Sequence, residues 1–276
     1  MILFGTIGIF RRYIPLPSDA LAFGRGIAGG VFLLLFLKMK GRHFAAGNIR
    51  RRDFFLLMLT GALIGFNWIL LFEAYSYTTV AAATLCYYMQ PVIVILLTPV
   101  LLKEKITGRQ ILCVIFSVTG MVLVSGVFGD TAGNAGNARG ILPALGAAVL
   151  YATVVLLNKQ IRGIPAFEKT IIQLLSAGIS LLPYMAARGN LRSYALTPVQ
   201  QLLFLIVCVV HTGIAYTLYF GAIEKLPAKT CALFSYIDPV TAVLLSAVFL
   251  REPMTLYAAA GAVLIIGSAL YSERGG

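Results

Sequence analysis

Two stretches of the sequence, Phe72–Thr107 and Phe220–Thr255, are copies of one another. They align without a gap at an offset of 148 residues, and 12 of the 36 aligned positions are identical. Apolar segments match by chance at Leu and Val, but here the matches include polar and special residues. These are Tyr88/Tyr236, Pro91/Pro239, Glu104/Glu252 and Thr107/Thr255. A repeat of this size limits the chain to folds that are built from two related halves.

The composition indicates that lipid, rather than water, surrounds the folded chain. Of the 276 residues, 59% are hydrophobic and only 12% are charged, whereas a soluble domain carries about 25% charged residues. The formal net charge is +12, but the basic residues stand in short clusters between apolar runs. No basic face for nucleic acid is therefore expected. The cysteines lie inside apolar runs without metal-ligand spacing, so we expect buried hydrophobic side chains. They are Cys86, Cys113, Cys208 and Cys231.

Nine apolar runs approach the length of about 20 residues that a helix needs to cross a bilayer. They are Ala20–Leu37, Phe54–Phe72, Thr78–Leu102, Ile111–Phe128, Gly140–Leu157, Thr170–Ala187, Val199–Ile223, Thr230–Leu250 and Leu256–Tyr271. A shorter apolar segment, Met1–Phe10, precedes them. The sequence thus predicts an all-α integral membrane protein with ten transmembrane helices, of which the first is short.

The first of these helices is incomplete when it is compared with its repeat. Ten helical residues rise only ~15 Å, which is half of the ~30 Å hydrocarbon core. Leu3–Ile14 resembles Leu150–Ile161, which the further apolar segment Gly140–Val149 precedes. We expect that the first helix lacks its leading half, through an upstream start or a natural truncation. A secretory signal does not fit, because Arg11 and Arg12 follow the apolar run instead of preceding it.

The basic residues are distributed unevenly between alternate loops. With the N terminus in the cytoplasm, 15 Lys and Arg residues fall in inside loops and 6 in outside loops. The positive-inside rule therefore places both termini in the cytoplasm. Because each copy holds five helices, the copies enter the membrane from opposite sides, which predicts an inverted repeat over 1–128 and 140–272 with a linker at 129–139. Inverted halves are typical of secondary transporters, whose substrate site lies near the midplane.

The repeated motif carries a family resemblance. TLCYYMQPV is followed by LLKEKIT, and LFSYIDPVTAVLLSAVFLREP has the same order of polar residue, proline, apolar run and glutamate. With the aromatic–Ala step Phe72–Ala74, the chain resembles the EamA-type family of the drug/metabolite transporter superfamily over its whole length. The resemblance implies two five-helix halves and the export or exchange of small polar metabolites, often amino acids, across a bacterial cytoplasmic membrane. The short first helix departs from the family, whose members carry ten complete spans.

Polar residues beside the two repeated prolines are the first candidates for substrate binding. Asp238 precedes Pro239 in mid-span and Gln90 precedes Pro91, and both prolines are expected to kink their helices and free backbone carbonyls. Spacing of three residues places Ser235 with Asp238, and Tyr87 with Gln90, on shared helix faces. Polar groups at membrane depth are costly and so are functional candidates. The predicted residues here are Tyr87, Tyr88, Gln90, Ser235, Tyr236 and Asp238. The alternative is that Asp238 has a structural role, in which it satisfies neighbouring backbone groups or Arg25.

A second group of candidates lies in other spans. Arg25 is in the second span and aligns with Gln173 in the second copy, and the family commonly has a basic residue near this place. The alternative for Arg25 is a headgroup contact near the helix end. Asn67 and Trp68 are candidates for binding an amphipathic substrate. The alternative for Asn67 is a hydrogen bond that joins two helices. His211 is a candidate for proton coupling or a structural histidine, and Tyr216 lies on the same polar-aromatic face.

The sequence predicts a secondary transporter that exports an amino acid or related compound by alternating access. No HExxH, GxSxG or P-loop motif is present, so no catalytic site, metal or cofactor is expected. Open alternatives are a proton-coupled antiporter of drugs or cations and a degenerate paralogue that does not transport. The expected partners are a small molecule, lipid and, in the coupled alternative, protons. The chain is a monomer or homodimer, and GxxxG pairs at Gly26/Gly30 and Gly61/Gly65 favour packing within the chain.

Overall fold

The computed structural model describes residues 1–41, 49–101, 106–124, 134–161, 163–223, 237–252 and 254–273. Within these ranges every regular element is a helix. The α-helices are α1 Ile2–Gly5, α2 Ile7–Tyr13, α3 Ser18–Met39, α4 Arg51–Tyr77, α5 Val80–Tyr87, α6 Gln90–Leu101, α7 Gly108–Val124, α8 Asn134–Asn158, α9 Ala166–Ala187, α10 Pro198–Cys208, α11 Ala215–Ile223, α12 Ile237–Phe249 and α13 Leu256–Glu273. A π-helical turn, Val209–Ile214, joins α10 to α11.

Six helical segments of the described residues are long and apolar enough to cross a membrane. They are Ser18–Met39, Arg51–Tyr77, Val80–Leu97, Arg139–Asn158, Ala166–Ala187 and Pro198–Tyr219. Three shorter apolar helices are Gly108–Val124, Ile237–Phe249 and Leu256–Ser268. These helices confirm the prediction of an all-helical membrane protein. The count of ten spans stays a prediction.

Two helix boundaries differ from those predicted. The N-terminal helix α2 continues through Arg11 and Arg12 to Tyr13, because two arginines do not interrupt a helix whose side chains can extend away from apolar surroundings. The helix α8 begins at Asn134, inside the segment 129–139 that the sequence analysis takes for a linker. Small and polar residues permit a helical start there even though they carry no apolar signal.

The predicted span Thr78–Leu102 is divided into two helices. The helix α5 ends at Tyr87 and α6 begins at Gln90, so Tyr88 and Met89 form the break. Pro91 explains the position of the break, because it has no N–H to donate to the carbonyl four residues earlier.

The described chain forms two compact units by its contacts. The first unit contains Met1–Ile9, Leu70–Leu156 and Leu226–Gly276, and the second contains Phe10–Ile69 and Leu157–Lys225. Each unit therefore takes segments from both copies of the repeat. The three helices α2, α4 and α8 each contribute residues to both units.

In the second unit, α9 packs closely against α3 and α4 through glycines. A Cβ on Gly26 would lie 2.6 Å from the backbone nitrogen of Gly178. A Cβ on Gly61 would lie 2.5 Å from the carbonyl oxygen of Gln173, and one on Gly65 would lie 2.9 Å from that of Ala177. Such close approach of backbones is how membrane helices associate without a hydrophobic driving force. The predicted GxxxG residues of both helices thus pack within the chain.

In the first unit, the corresponding close pair is α7 with α13. A Cβ on Gly120 would lie 2.7 Å from the carbonyl oxygen of Gly261, and a Cβ on Gly261 would lie 2.5 Å from that of Gly120. Ser117 and Ser268 share a buried hydrogen bond across the same pair. An apolar cluster of Leu85, Tyr88, Met89, Val92, Val124, Val243 and Ile265 surrounds the break between α5 and α6.

Candidate functional site

Arg25 is a buried charge in the second unit. It lies in α3 with 4% of its surface exposed. Its Nε donates a hydrogen bond to Oγ1 of Thr212 at 3.0 Å, and its guanidinium carbon lies 4.2 Å from the centroid of the Trp68 ring. A cation over an aromatic face is stabilised by the ring quadrupole, more strongly when water is excluded. We call Arg25, Trp68 and Thr212 the arginine cluster.

The π-helical turn positions Thr212 for this contact. Oγ1 of Thr212 donates to the carbonyl oxygen of Val207 at 3.1 Å, and this leaves the oxygen able to accept from Arg25. A Cβ on Gly29 would lie 2.4 Å from Cγ2 of Thr212, so only glycine lets α3 approach the turn this closely. Single π turns inside α-helices occur frequently at functional sites. Thr212 is not among the site residues predicted from the sequence, because a threonine in an apolar helix has no distinctive pattern.

The histidine of the same turn is enclosed by the protein. His211 is 2% exposed, and its Nδ1 lies 3.4 Å from the carbonyl oxygen of Ile206. Its ring contacts Phe10 edge to face, with 4.7 Å between the ring centroids. Tyr216 follows in α11 and is half-buried. These contacts agree with the structural alternative for His211, and its proton coupling stays a prediction.

Two amides of the second unit are buried among helices. Asn67 precedes Trp68 on α4 and is 1% exposed. Gln173, which aligns with Arg25 in the repeat, donates from Nε2 to Oγ1 of Thr60 at 2.9 Å and to Oδ1 of Asn158 at 3.0 Å. Gln173 therefore joins α9 to α4 and to the end of α8. An amide with both donors used between helices is a packing residue.

The first unit brings Tyr88 and Asp238 together. Oη of Tyr88 donates to Oδ2 of Asp238 at 2.7 Å. Tyr88 is buried at the break between α5 and α6, while Asp238 is half-buried in the first turn of α12. The distance is that of a strong hydrogen bond to a charged acceptor. Two predicted site residues that are 150 residues apart in sequence are thus direct partners.

Tyr87 packs beside Tyr88 and Tyr151, and the amide of Gln90 follows two residues beyond Tyr88. The Tyr87 ring lies 6.0 Å from the Tyr88 ring and 5.9 Å from the Tyr151 ring, measured between centroids. Oε1 of Gln90 is buried and has no hydrogen-bond partner among the described residues. The sequence analysis missed Tyr151, although it lies in the segment that repeats the first helix. We call Tyr87, Tyr88, Gln90, Tyr151 and Asp238 the tyrosine–aspartate cluster.

Some predictions for this region need correction or lie outside the described residues. Tyr87 and Gln90 do not share one continuous helical face, because the break at Tyr88 and Met89 separates their helices. Pro91 accordingly marks a helix break rather than a kink, and Pro239 is buried in the first turn of α12. Ser235 and Tyr236 lie outside the described residues, as does Glu104.

The repeated glutamate of the second copy stabilises the start of α5. Oε1 and Oε2 of Glu252 accept from the backbone nitrogen of Val80 at 3.0 and 2.9 Å, and Oε2 accepts from Ala81 at 3.4 Å. Oγ1 of Thr79 accepts from the Ala82 nitrogen at 3.1 Å. These oxygens satisfy N–H groups that have no intrahelical partner, and the negative charge is favourable at a helix N terminus. Glu252 therefore has a structural role at the start of α5.

Comparison with known proteins gives consistent results along the whole chain. The EamA-like transporter family matches residues 1–126 and 138–272. The uncharacterized transporter YxxF of Bacillus subtilis (strain 168) is 30% identical over 99% of this chain and 87% of its own length. Protein RarD of Salmonella typhimurium is 28% identical over 88% of this chain and 81% of its own length.

A solved structure shares the fold. One crystal structure covers 98% of this chain and 93% of its own chain with a TM-score of 0.69 and 18% sequence identity. An identity this low extends the likeness to the fold alone, while the family match covers both copies of the repeat. The chain therefore belongs to the EamA-like transporter family.

Proposed function

We propose that this protein is a secondary transporter that exports an amino acid or a related small polar metabolite across the bacterial cytoplasmic membrane by alternating access. The family and the names of the relatives support a membrane transporter rather than an enzyme. The absence of a P-loop motif from the sequence favours transport driven by gradients.

The arginine cluster is the observation that carries this proposal. A charge within a membrane span is costly, and such residues typically serve a substrate or ion pathway. Arg25 lies in the span Ser18–Met39 and is buried there. A guanidinium group is a planar fork that matches a carboxylate in two hydrogen bonds. With Nε held by Thr212 and one face covered by Trp68, the group is oriented in advance for a carboxylate of the substrate.

The proposed transport mechanism uses the repeat. The chain forms ten spans as two inverted five-helix halves, 1–128 and 140–272, with both termini in the cytoplasm. The gap-free repeat and the excess of Lys and Arg in alternate loops support this organisation. Inverted halves permit two related packings, each open to one side of the membrane.

An export screen tests the proposal. Bacteria that overexpress the chain are loaded with dipeptides, and each amino acid that accumulates in the medium is quantified. We expect a several-fold increase for at least one amino acid over cells with an empty vector. Arg25→Gln should abolish the increase at equal membrane abundance, whereas Arg192→Gln, at an exposed residue, should preserve it. A full panel without any increase, or wild-type export by Arg25→Gln, contradicts the proposal.

A further inference from the structure

We propose that the tyrosine–aspartate cluster is a binding subsite for an organic ammonium group, such as the primary amine of a substrate. This inference deepens the proposed function, and it rests on that function for the arrival of a substrate within the membrane. It assigns to the first unit a ligand chemistry opposite in charge to that of the arginine cluster. The assignment follows from the acceptors and rings that the first unit places around Asp238.

Among the described residues, the carboxylate of Asp238 accepts one hydrogen bond, and the amino group of Met1 also acts on it electrostatically. A carboxylate offers about four lone-pair sites to hydrogen-bond donors, and the structure shows one donor among the described residues, Oη of Tyr88 at 2.7 Å. The backbone beside it is also held, because a Cβ on Gly5 would lie 2.6 Å from the carbonyl oxygen of Asp238. The α1 helix thus packs directly on this part of α12. An oriented carboxylate in partly buried surroundings is stabilised by a cation that donates to it.

A second acceptor lies close by in the chain. Gln90 is two residues beyond Tyr88, and its buried Oε1 has no donor among the described residues. A buried acceptor without a partner keeps the cost of its lost hydration, and such a group in a native structure calls for an explanation. An ammonium group has three N–H donors and no acceptor. It can therefore supply a donor to Gln90, and it can also donate to a carboxylate such as that of Asp238.

The break between α5 and α6 contributes in the same sense. Pro91 has no N–H for the carbonyl of Tyr87, which an uninterrupted helix would bond at this point. Backbone carbonyls at discontinuous helices coordinate cations in other transporters. A carboxylate ligand would be repelled by the Asp238 carboxylate.

The tyrosine rings complete the selectivity for a cation. Tyr87 contacts both Tyr88 and Tyr151 at steep interplanar angles, 90° and 64°. Aromatic faces carry negative potential that attracts ammonium groups and does not attract neutral molecules of the same shape. An alkylammonium ion should therefore bind better than an alcohol of equal size, and an alkanoate should not bind.

Ligand-induced thermal stabilisation of the purified full chain tests the subsite. The midpoint of thermal unfolding is measured against increasing n-butylammonium, 1-butanol and butyrate. A ligand that binds only the folded protein raises the midpoint in a saturable way. We expect this for butylammonium alone. Loss of a charge-assisted hydrogen bond in Asp238→Asn should weaken the apparent affinity by about tenfold or more. The matched control Asp53→Asn removes a carboxylate from the second unit and should leave the affinity unchanged.

A second variant separates binding from folding. Gln90→Leu replaces the unpartnered buried oxygen by an apolar group of similar size, so the ligand-free protein should unfold at an equal or higher temperature. The same variant should bind butylammonium several-fold more weakly. Wild-type affinity in both Asp238→Asn and Gln90→Leu, no response of the wild type, or an equal response to butanol overturns the subsite. The binding assay needs no transport, so the two tests are independent. A failed export screen contradicts the proposed function but not the subsite, and a failed binding assay contradicts the subsite but not the proposed function.

Discussion

At the scale of single residues, each buried charge of the two clusters is oriented by a hydroxyl group from a distant part of the chain. Arg25 donates to Thr212, and Asp238 accepts from Tyr88. The charged members of these pairs were predictable, because an ionisable residue in an apolar run is conspicuous. Thr212 and Tyr151 were not predicted as site residues, since hydroxyl and aromatic side chains are ordinary in membrane helices and only their contacts distinguish them.

The bond between Arg25 and Thr212 leads to a prediction at this scale. Thr212→Val keeps the shape of the side chain but removes the acceptor from Nε of Arg25. We expect a loss of about 1–3 kcal/mol in the free energy of unfolding, since a buried donor loses its partner. Thermal or denaturant unfolding in detergent measures this loss.

Thr217→Val is the matched control for that measurement. Oγ1 of Thr217 also donates to a backbone carbonyl oxygen, that of Gly213, at 2.9 Å. The destabilisation by Thr217→Val therefore measures the cost of losing such a bond without the contact to Arg25. An equal destabilisation by the two variants would show that the contact with Arg25 contributes nothing measurable.

At the scale of helices, an interruption forms part of each of the two clusters. The break at Tyr88 and Met89 presents Tyr88 to Asp238, and the π turn Val209–Ile214 presents Thr212 to Arg25. The sequence indicated a disturbance of the helix at the first interruption, because Pro91 cannot donate the backbone hydrogen bond that would continue the helix. The π turn was not, because its residues fit a regular α-helix equally well and the packing of Gly213 and Gly29 selects the wider turn.

The Glu252 contact leads to a prediction for α5. Glu252→Gln removes the negative charge that accepts from the Val80 and Ala81 nitrogens. We expect a loss of about 0.5–2 kcal/mol, the range for helix caps, together with faster amide exchange in the first turn of α5. Hydrogen–deuterium exchange by mass spectrometry measures that turn directly.

Glu168→Gln provides the comparison, because Glu168 is acidic in the first turn of α9 and lies in the other unit. Its removal should leave exchange in α5 as in the wild type. Unchanged exchange of α5 in Glu252→Gln would contradict a capping role for Glu252.

At the scale of the whole molecule, the compact units do not coincide with the two copies of the repeat. Each unit combines segments of both copies, with boundaries at Ile9, Ile69, Leu156 and Lys225. Duplication of a sequence therefore does not require that each copy folds as a separate body. The boundary at Ile69 falls within α4 and that at Leu156 within α8, where no loop or composition change marks it in the sequence.

The predicted orientation is testable by labelling from outside the cell. Single cysteines are introduced at Lys40 and Arg192, both exposed, in a chain whose own cysteines are replaced by alanine. The charge bias predicts that Arg192→Cys reacts with a membrane-impermeant maleimide in intact cells and that Lys40→Cys reacts only after permeabilisation. The reverse pattern contradicts cytoplasmic termini.

Hydropathy and the repeat were enough to predict a helical membrane protein, and the resemblance of the repeated motif to a known family indicated which family it belongs to. Both features can be recognised in the sequence alone. The length of an apolar run indicates whether a helix can cross lipid, and a gap-free match between two segments indicates duplication. The assignment of partners was decided by the tertiary structure. Arg25 and Thr212 are 187 residues apart, and Tyr88 and Asp238 are 150 apart. Contacts at such separation depend on how helices pack, which the close glycine approaches permit, and on where helices break, as they do beside Pro91.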